Sequence, residues 1–237
     1  KSFVSPHDKT SIDVLKNINI KIKYKEFVCI VGPSGCGKTT LMNIIGGLID
    51  AEDNKFNKER GDLKANGDYG YVFQTSRLLP WLTVKENIEL VCEENEEYIE
   101  RIESLLSDFD LHEFKNYYPK SISGGMRRKV SLARALIKKP QILLMDEPFV
   151  SLDQPTAESL YSVLINYWKK NPITIILITH NLKEAILLGD RIIFFSKRPA
   201  SVVYDHKIKS KTEGLSIDNI EIQKEYDQLR KKFPSLL

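Results

Sequence analysis

Three cysteines, Cys29, Cys36 and Cys92, are all that 237 residues provide. They are odd in number and form neither a C-x-x-C pair nor a Cys/His cluster. This excludes a disulfide framework and a zinc site and leads us to expect a reducing compartment. Long apolar runs are also missing. The most apolar stretch, 173–178 with Thr174 inside it, is strand-sized, far below the roughly 20 residues that a membrane span needs. No basic-then-apolar stretch opens the chain, so no secretory signal is expected. The first residue is Lys1 rather than Met, so some leading residues are expected to be missing. Charge of one sign is scarce: 35 Lys and Arg against 32 Asp and Glu leave +3, too mild to point to nucleic acid as a partner. There is no internal repeat. What is left is an ordinary globular composition, long enough for one large domain or two lobes sharing a core.

Residues 1–31 read as β structure. Ile18, Ile20 and Ile22 alternate with Asn19, Lys21 and Lys23, the pattern of a half-exposed strand. Phe27-Val28-Cys29-Ile30-Val31 is continuously apolar, as a strand covered on both faces should be. The polar, turn-rich stretch 50–68 reads as loops and short hairpins, and 69–73 as a strand ending at Gln74. The character then changes. Leu78-Leu79-Pro80-Trp81-Leu82-Thr83 leads into helical periodicity through Val84, Ile88 and Val91, then Tyr98, Ile102, Leu105 and Leu106. Thr83 followed three residues later by Glu86 fits a capping box. The glutamates crowding 93–103 read as a solvated helix face. A helical insertion over 78–137 is therefore expected inside an α/β frame of 1–77 and 138–237. Ile142-Leu143-Leu144-Met145, 173–178 and 192–195 read as further strands. A helix with Ala157, Leu160, Tyr161, Leu164, Ile165 and Trp168 on one face and a shorter one over 182–188 alternate with them, which implies a mainly parallel sheet. A weak strand over 202–204 and a terminal helix over 218–232 complete the chain.

Gly32-Pro33-Ser34-Gly35-Cys36-Gly37-Lys38-Thr39-Thr40 fits G-x-x-x-x-G-K-[ST] between an apolar strand and a helix-compatible run, the setting that motif needs. Its glycines let the backbone wrap an anion, and successive N–H groups and the helix dipole then face the phosphates. Lys38 can reach the β- and γ-phosphates, and the Thr39 hydroxyl can take a Mg²⁺ position. Cys36 inside this loop reads as a tolerated small residue. Asp146 closes an apolar strand, where a carboxylate can hold Mg²⁺ through water, and Glu147 beside it can polarise an attacking water. Ser123-Gly124-Gly125 opens a helix and offers a second phosphate-binding nest. His180 and Gln74 also end strands, as candidate γ-phosphate sensor and nucleotide sensor or Mg²⁺ contact. Functional residues thus recur at the C-terminal strand edge, where open α/β sheets bind ligands.

These motifs, in this order, resemble the ATP-binding cassette (ABC) ATPases, the nucleotide-binding subunits of transporters, from about Ser2 to about Ser201. Walker A matches 32–39, the Q-loop Gln74, the signature 122–126, Walker B 142–146 with Glu147, the D-loop Ser151-Leu152-Asp153, and the switch histidine His180. The resemblance implies a P-loop NTPase (RecA-like) core with an N-terminal antiparallel β subdomain and an inserted α-helical subdomain. It implies Phe3 stacking on adenine, and ATP with Mg²⁺ as ligands. It further implies a head-to-tail homodimer in which each ATP lies between one copy's phosphate loop and the other's 123–125, with Asp153 alongside. Partners would be a separate membrane permease and, indirectly, an extracytoplasmic solute-binding protein; the place would be the cytoplasmic face of the cell membrane. Val72-Phe73-Gln74 running into 78–84, Asp146-Glu147-Pro148-Phe149, Glu184-Ala185-Ile186-Leu187-Leu188-Gly189-Asp190-Arg191 and Arg198-Pro199 are more narrowly similar to the nitrate/sulfonate/taurine-type importer ATPases, which implies uptake of a small solute, a nitrate-, sulfonate- or taurine-like anion or a vitamin precursor. Met126 departs from the commoner glutamine of the signature, Lys25 stands where a glycine is usual, and 50–68 is unusually charged.

Three rival readings fit less well. DNA-clamping relatives carry a long coiled coil between the phosphate loop and the signature, and the stretch from Lys38 to Ser123 has no sustained heptads. Translation-type relatives carry two cassettes, and this chain has a single phosphate loop. An ATPase for lipid or lipoprotein transport is disfavoured by the Leu78–Val84 stretch.

Overall fold

The computed structural model describes residues 1–4, 9–51, 69–92, 96–208 and 216–234. The loops and hairpins expected over 52–68 lie outside the described residues. The chain forms two compact units, Lys1–Ala65 with Thr174–Leu237, and Asn66–Ile173.

The first unit is built around β-strands whose central members are apolar and buried. β1 (Ser2–Val4) and β2 (Ser11–Asp13) form a short antiparallel pair with Phe3 opposite Ile12. β3 (Phe27–Val31) is buried along its whole length. It lies parallel to two later strands, β6 (Thr174–Ile178) with Ile30 opposite Ile178, and β7 (Arg191–Phe195) with Ile30 opposite Ile193. β8 (Val202–Lys207) runs antiparallel beside β7. It alternates half-buried and exposed residues, as a one-sided strand should. Helix α1 (Lys38–Ile45) follows β3, α6 (Leu182–Leu188) follows β6, and α7 (Ile220–Lys232) packs on α6 through buried Ile222 and Leu229.

The expected strand over 18–22 is a correction. Ile18, Ile20 and Ile22 are half-buried and their neighbours exposed, but no ladder partner pairs with them among the described residues. The Lys21 carbonyl instead accepts from the Arg191 guanidinium at 2.8 Å. Alternation reports which side of an extended chain is covered; it carries no information about ladder pairing. The departure at Lys25 has a backbone meaning. Lys25 sits at φ 62°, in the left-handed region that glycine enters freely, and its N–H donates to Thr174 Oγ1 at 3.0 Å.

In the second unit, β4 (Tyr69–Val72) and β5 (Ile142–Asp146) lie parallel with Val72 opposite Met145. The α-helices α2 (Val84–Glu89), α3 (Glu96–Asp108), α4 (Gly124–Leu136) and α5 (Gln154–Lys170) accompany them. This unit is wider than the helical stretch read from the sequence, since it also takes in β4, β5 and α5. The capping box at α2 is complete: Glu86 N–H donates to Thr83 Oγ1 at 3.3 Å and Thr83 N–H to the Glu86 carboxylate at 2.7 Å. Ile102, Leu105 and Leu106 form the buried stripe of α3. Its acidic side is partly paired, Glu97 with Lys139 at 2.8 Å and Glu103 with Lys115 at 3.2 Å. On α5 the expected apolar face is buried except for Trp168, which is half-buried and donates its indole N–H to the Ile173 carbonyl at 2.7 Å.

Candidate active site

In the first unit, parallel pairing brings two of the read motifs to one strand edge. β3 and β6 end level with each other, and Thr179 N–H donates to the Ile30 carbonyl at 3.2 Å. The loop 32–37 leaves β3 at that edge and His180 leaves β6. Helix α1 begins with Gly37 as its N-cap and no side-chain cap, so its first N–H groups remain directed at whatever the loop encloses. Gly37 is at φ 124°, and a Cβ there would lie 2.8 Å from Val14 Cγ1; both backbone shape and packing demand glycine. Lys38 is 5% exposed. Its ammonium donates to the carbonyls of Gly32 at 2.8 Å and Pro33 at 3.0 Å, so the cation is held across the mouth of the loop. Ser34, Gly35 and Thr39 are exposed and Thr40 half-buried, whereas Cys36 is buried at 2%. The Arg198 guanidinium reaches the Gly35 carbonyl at 2.6 Å.

His180 is exposed, on a turn that is internally fixed. The buried Thr179 hydroxyl donates to the Glu184 carboxylate at 2.5 Å and accepts from Asn181 N–H at 2.9 Å. Asn181 in turn caps α6 through the N–H groups of Lys183 and Glu184. Nothing in the sequence marks the bond between Thr179 and Glu184. Asn181 was discoverable as a capping residue directly before an apolar helical run. Phe3 lies in β1, 42% exposed, with the Lys1 ammonium 5.3 Å from its ring centre.

In the second unit, β4 and β5 also run parallel and end level, so Gln74 and the pair Asp146-Glu147 leave neighbouring strand ends. Asp146 is 6% exposed and Gln74 is exposed. Glu147 stands at φ 45°, a left-handed conformation costing an L side chain about 1 kcal/mol. Such strain is tolerated where its neighbours over-determine it. Tyr71 of β4 was not singled out from the sequence. Burial, then the Asp146 charge, push its phenol well above the usual range, so it remains a neutral donor next to that carboxylate.

Ser123 caps α4 by accepting from Met126 N–H at 3.1 Å, a cap worth about 1 kcal/mol. Gly124 is exposed and Gly125 buried. Asp153 caps α5 in the same way, accepting from Thr156 N–H at 3.3 Å. The approach to the helices is held by Asn87, which is fully buried. Its side chain accepts from Leu79 N–H at 2.8 Å and donates to the carbonyls of Leu79, Leu82 and Thr83 at 2.9–3.1 Å. Trp81, on the loop so fixed, is 68% exposed. No pattern in the sequence marks Asn87, because an asparagine in a helix is usually a surface residue.

Thr39, Gln74 and Asp146 carry hard oxygen donors of the kind Mg²⁺ takes, and no group of three His, Cys, Asp or Glu side chains among the described residues forms a cation cage. Each is a ligand type that suits an ion drawing its other ligands from water and phosphate. No helix among the described residues is long and apolar enough to cross a membrane.

A family model described as ABC transporter matches residues 15–150. The aliphatic sulfonates import ATP-binding protein SsuB of Bacillus anthracis is 39% identical over 231 residues, covering 94% of this chain and 87% of its own. The taurine import ATP-binding protein TauB of Jannaschia sp. (strain CCS1) is 36% identical, with 90% and 82% covered. Among solved structures, the dimeric post-hydrolysis ATP-binding cassette MJ0796 bound to ADP and Pi superposes with a TM-score of 0.72 at 33% identity, covering 89% of this chain and 96% of that one. CbiO1 from Clostridium perfringens, at 24% identity and TM-score 0.73, shares the fold. With the family model spanning more than half the chain, and relatives above 30% identity spanning nearly all of it, this chain belongs to the ABC transporter family as one of its ATP-binding cassettes.

Proposed function

We propose that this chain is the ATP-hydrolysing subunit of an importer for small sulfonate- or taurine-like anions, working at the cytoplasmic face of the membrane with a separate permease and, through it, an extracytoplasmic solute-binding protein. The observation that carries the catalytic half is the parallel strand pairing, which sets Lys38 and His180 at one strand edge and Gln74, Asp146 and Glu147 at another. The names of the relatives support the importer half.

The roles follow from the chemistry of each group. The N–H groups of 32–40 hold the phosphates of ATP, and Phe3 stacks on the adenine. Glu147 takes a proton from the attacking water as the bond from the γ-phosphorus to the bridging oxygen breaks. Lys38 takes up charge that develops on the phosphate oxygens, and His180 steadies the γ-phosphate. Thr39, Asp146 and Gln74 would hold Mg²⁺, which supplies further charge neutralisation when bound. Ser123, Gly124 and Gly125 close over the ATP of a second copy, with Asp153 at the same junction, so the active form is a head-to-tail homodimer.

The test is Glu147→Gln. It should bind ATP with Mg²⁺, form a stable dimer and turn over at least about a hundredfold more slowly, a loss of the size expected for a general base. Near-normal hydrolysis would remove Glu147 from its role. Reconstitution with the permease and binding protein, assayed with taurine, alkanesulfonates and nitrate, identifies the solute; ATP-dependent uptake of none of them would overturn the anion reading.

A further inference from the structure

The phosphate loop rests against segments far from it in sequence. A Cβ on Gly32 would lie 2.9 Å from Phe195 Cβ, and one on Gly37 would lie 2.8 Å from Val14 Cγ1. Close packing therefore fixes both ends of the loop. Its tip is held differently. Gly35 is at φ 71°, and among the described residues no atom beyond its chain neighbours lies within 4 Å of where its Cβ would stand. Hydrogen bonds hold the Gly35–Cys36 peptide instead. Its N–H donates to the Pro33 carbonyl at 3.3 Å, and its carbonyl accepts from Arg198 Nη2 at 2.6 Å. Arg198 stands on an anchored turn between β7 and β8. Ser196 N–H donates to the Ser201 carbonyl at 3.0 Å, and Ser201 N–H donates back to Ser196 Oγ at 3.0 Å. Ala200 is fully buried; its N–H donates to the Val14 carbonyl at 2.8 Å and its carbonyl accepts from Lys16 N–H at 2.9 Å. The turn that carries Arg198 is thus fastened to the residue that packs on Gly37.

Two cations therefore grip carbonyls of this loop, Lys38 those of Gly32 and Pro33, and Arg198 that of Gly35. In the functional reading above, Lys38 turns to phosphate oxygens when ATP is bound and gives up its carbonyls. A flip of the Gly35–Cys36 peptide, which glycine at 35 allows at little steric cost, would put a carbonyl oxygen where an N–H now stands. The negative end of that dipole would then face the phosphates that the N–H groups hold. We infer that Arg198 is a positioning residue for the phosphate loop: by holding the Gly35 carbonyl it keeps the loop's N–H groups set for a nucleotide, before ATP enters and after Lys38 has left the backbone. The guanidinium acts through the loop and does not touch the γ-phosphate, so ADP and ATP benefit alike. This inference rests on the reading of 32–40 as the phosphate site.

The experiment uses the full chain with Arg198→Met, Arg198→Lys as the conservative change, and Ser196→Ala, which loosens the turn beneath Arg198. Kd is measured for ADP and for a non-hydrolysable ATP analogue by fluorescence titration of the monomer. Arg198→Met should weaken both by about three- to tenfold, the range expected for one charge-assisted hydrogen bond. KM for ATP should rise by a similar factor while kcat at saturating ATP stays within about twofold, the pattern of lost uniform binding. Arg198→Lys, which keeps the charge and a donor, should bind within about twofold of the parent. Ser196→Ala should weaken binding in the same direction, and should add less than about twofold to Arg198→Met, because its effect passes through Arg198. Without nucleotide, amide hydrogen exchange in Arg198→Met should quicken at 33–37 and not in the core strands. Unchanged affinity for both nucleotides would overturn the inference. A loss about tenfold larger for the ATP analogue than for ADP would place the guanidinium on the γ-phosphate itself and overturn it too. Faster exchange throughout the chain, with a lowered Tm, would reduce Arg198 to a support of the fold. If the parent binds neither nucleotide, the functional reading fails first, an outcome distinct from the others.

Discussion

Gly125 and Thr156 touch so closely that no side chain fits between them. A Cβ on Gly125 would lie 2.3 Å from Thr156 Cγ2, whereas the Thr156 Cβ is 3.8 Å away, an ordinary contact. The start of α4 therefore packs on the first turn of α5, and a single methyl group defines the fit. Gly125→Ala should cost about 1–3 kcal/mol as an overpacked site and should impair turnover by displacing Ser123. Thr156→Ser removes that methyl and keeps the hydroxyl. The double variant should regain most of the lost stability in denaturant titrations; no recovery would mean that the crowding lies elsewhere.

Lys25 occupies a left-handed backbone position, φ 62°, with an exposed side chain. Lys25→Gly relieves about 1–2 kcal/mol of backbone strain while adding about 0.5–1 kcal/mol of chain entropy to the unfolded state. A net gain of about 0.5 kcal/mol in chemical unfolding is expected by difference. A loss of 1 kcal/mol or more would show that the Lys25 conformation carries no strain.

Trp81 is two-thirds exposed on a loop whose backbone is fixed by Asn87. The proposed function implies that a permease helix docks against Trp81; Trp81→Glu should then abolish ATP-dependent uptake in the reconstituted transporter while basal hydrolysis by the isolated subunit stays within about twofold of the parent. Uptake at the parent rate would remove Trp81 from the interface.

Asp153 gives a pH test with a definite sign. The Thr156 hydroxyl, then the Thr156 N–H, hold its carboxyl below the usual carboxylate range. A depressed carboxylate stabilises fully above its unfolded value of about 3.9, and the contribution fades as pH falls through the lower folded value. Asp153→Asn keeps an acceptor but no charge. Its denaturant midpoint should lie below the parent's by a constant amount between about pH 7 and pH 5, and the gap should close as the pH falls below about 4. A gap unchanged at low pH would show that the charge contributes nothing.

Much of the site was legible because its demands are local. The phosphate loop needs particular residue types within nine positions, and glycine is required at 37 by backbone shape and by Val14. The strands β3, β5 and β6 announced themselves by continuous apolar runs, broken only by Thr174 at the start of β6 and Asp146 at the end of β5, since a parallel strand is covered on both faces. What stayed hidden joins residues distant in sequence through polar groups of common types. Arg128 finds a carbonyl 55 residues away, Arg134 two carbonyls 57 and 58 away, and nothing in an arginine-rich helix distinguishes a tied guanidinium from a solvated one. The run at 18–22 misled for a related reason: its isoleucines record burial, while its hydrogen bonding was decided by Arg191, far along the chain.

The Asn87 side chain has a thermodynamic consequence for assembly. Its four hydrogen bonds to the backbone from Leu79 to Thr83 hold that loop as part of the folded chain. Ordering a loop at an interface ordinarily subtracts from affinity, residue by residue. Here that entropy is lost during folding, so a partner meeting Trp81 gains the contact without immobilising the loop beneath it. Association at this surface should accordingly resemble the docking of two rigid bodies, with little refolding in its heat-capacity change beyond the apolar area covered.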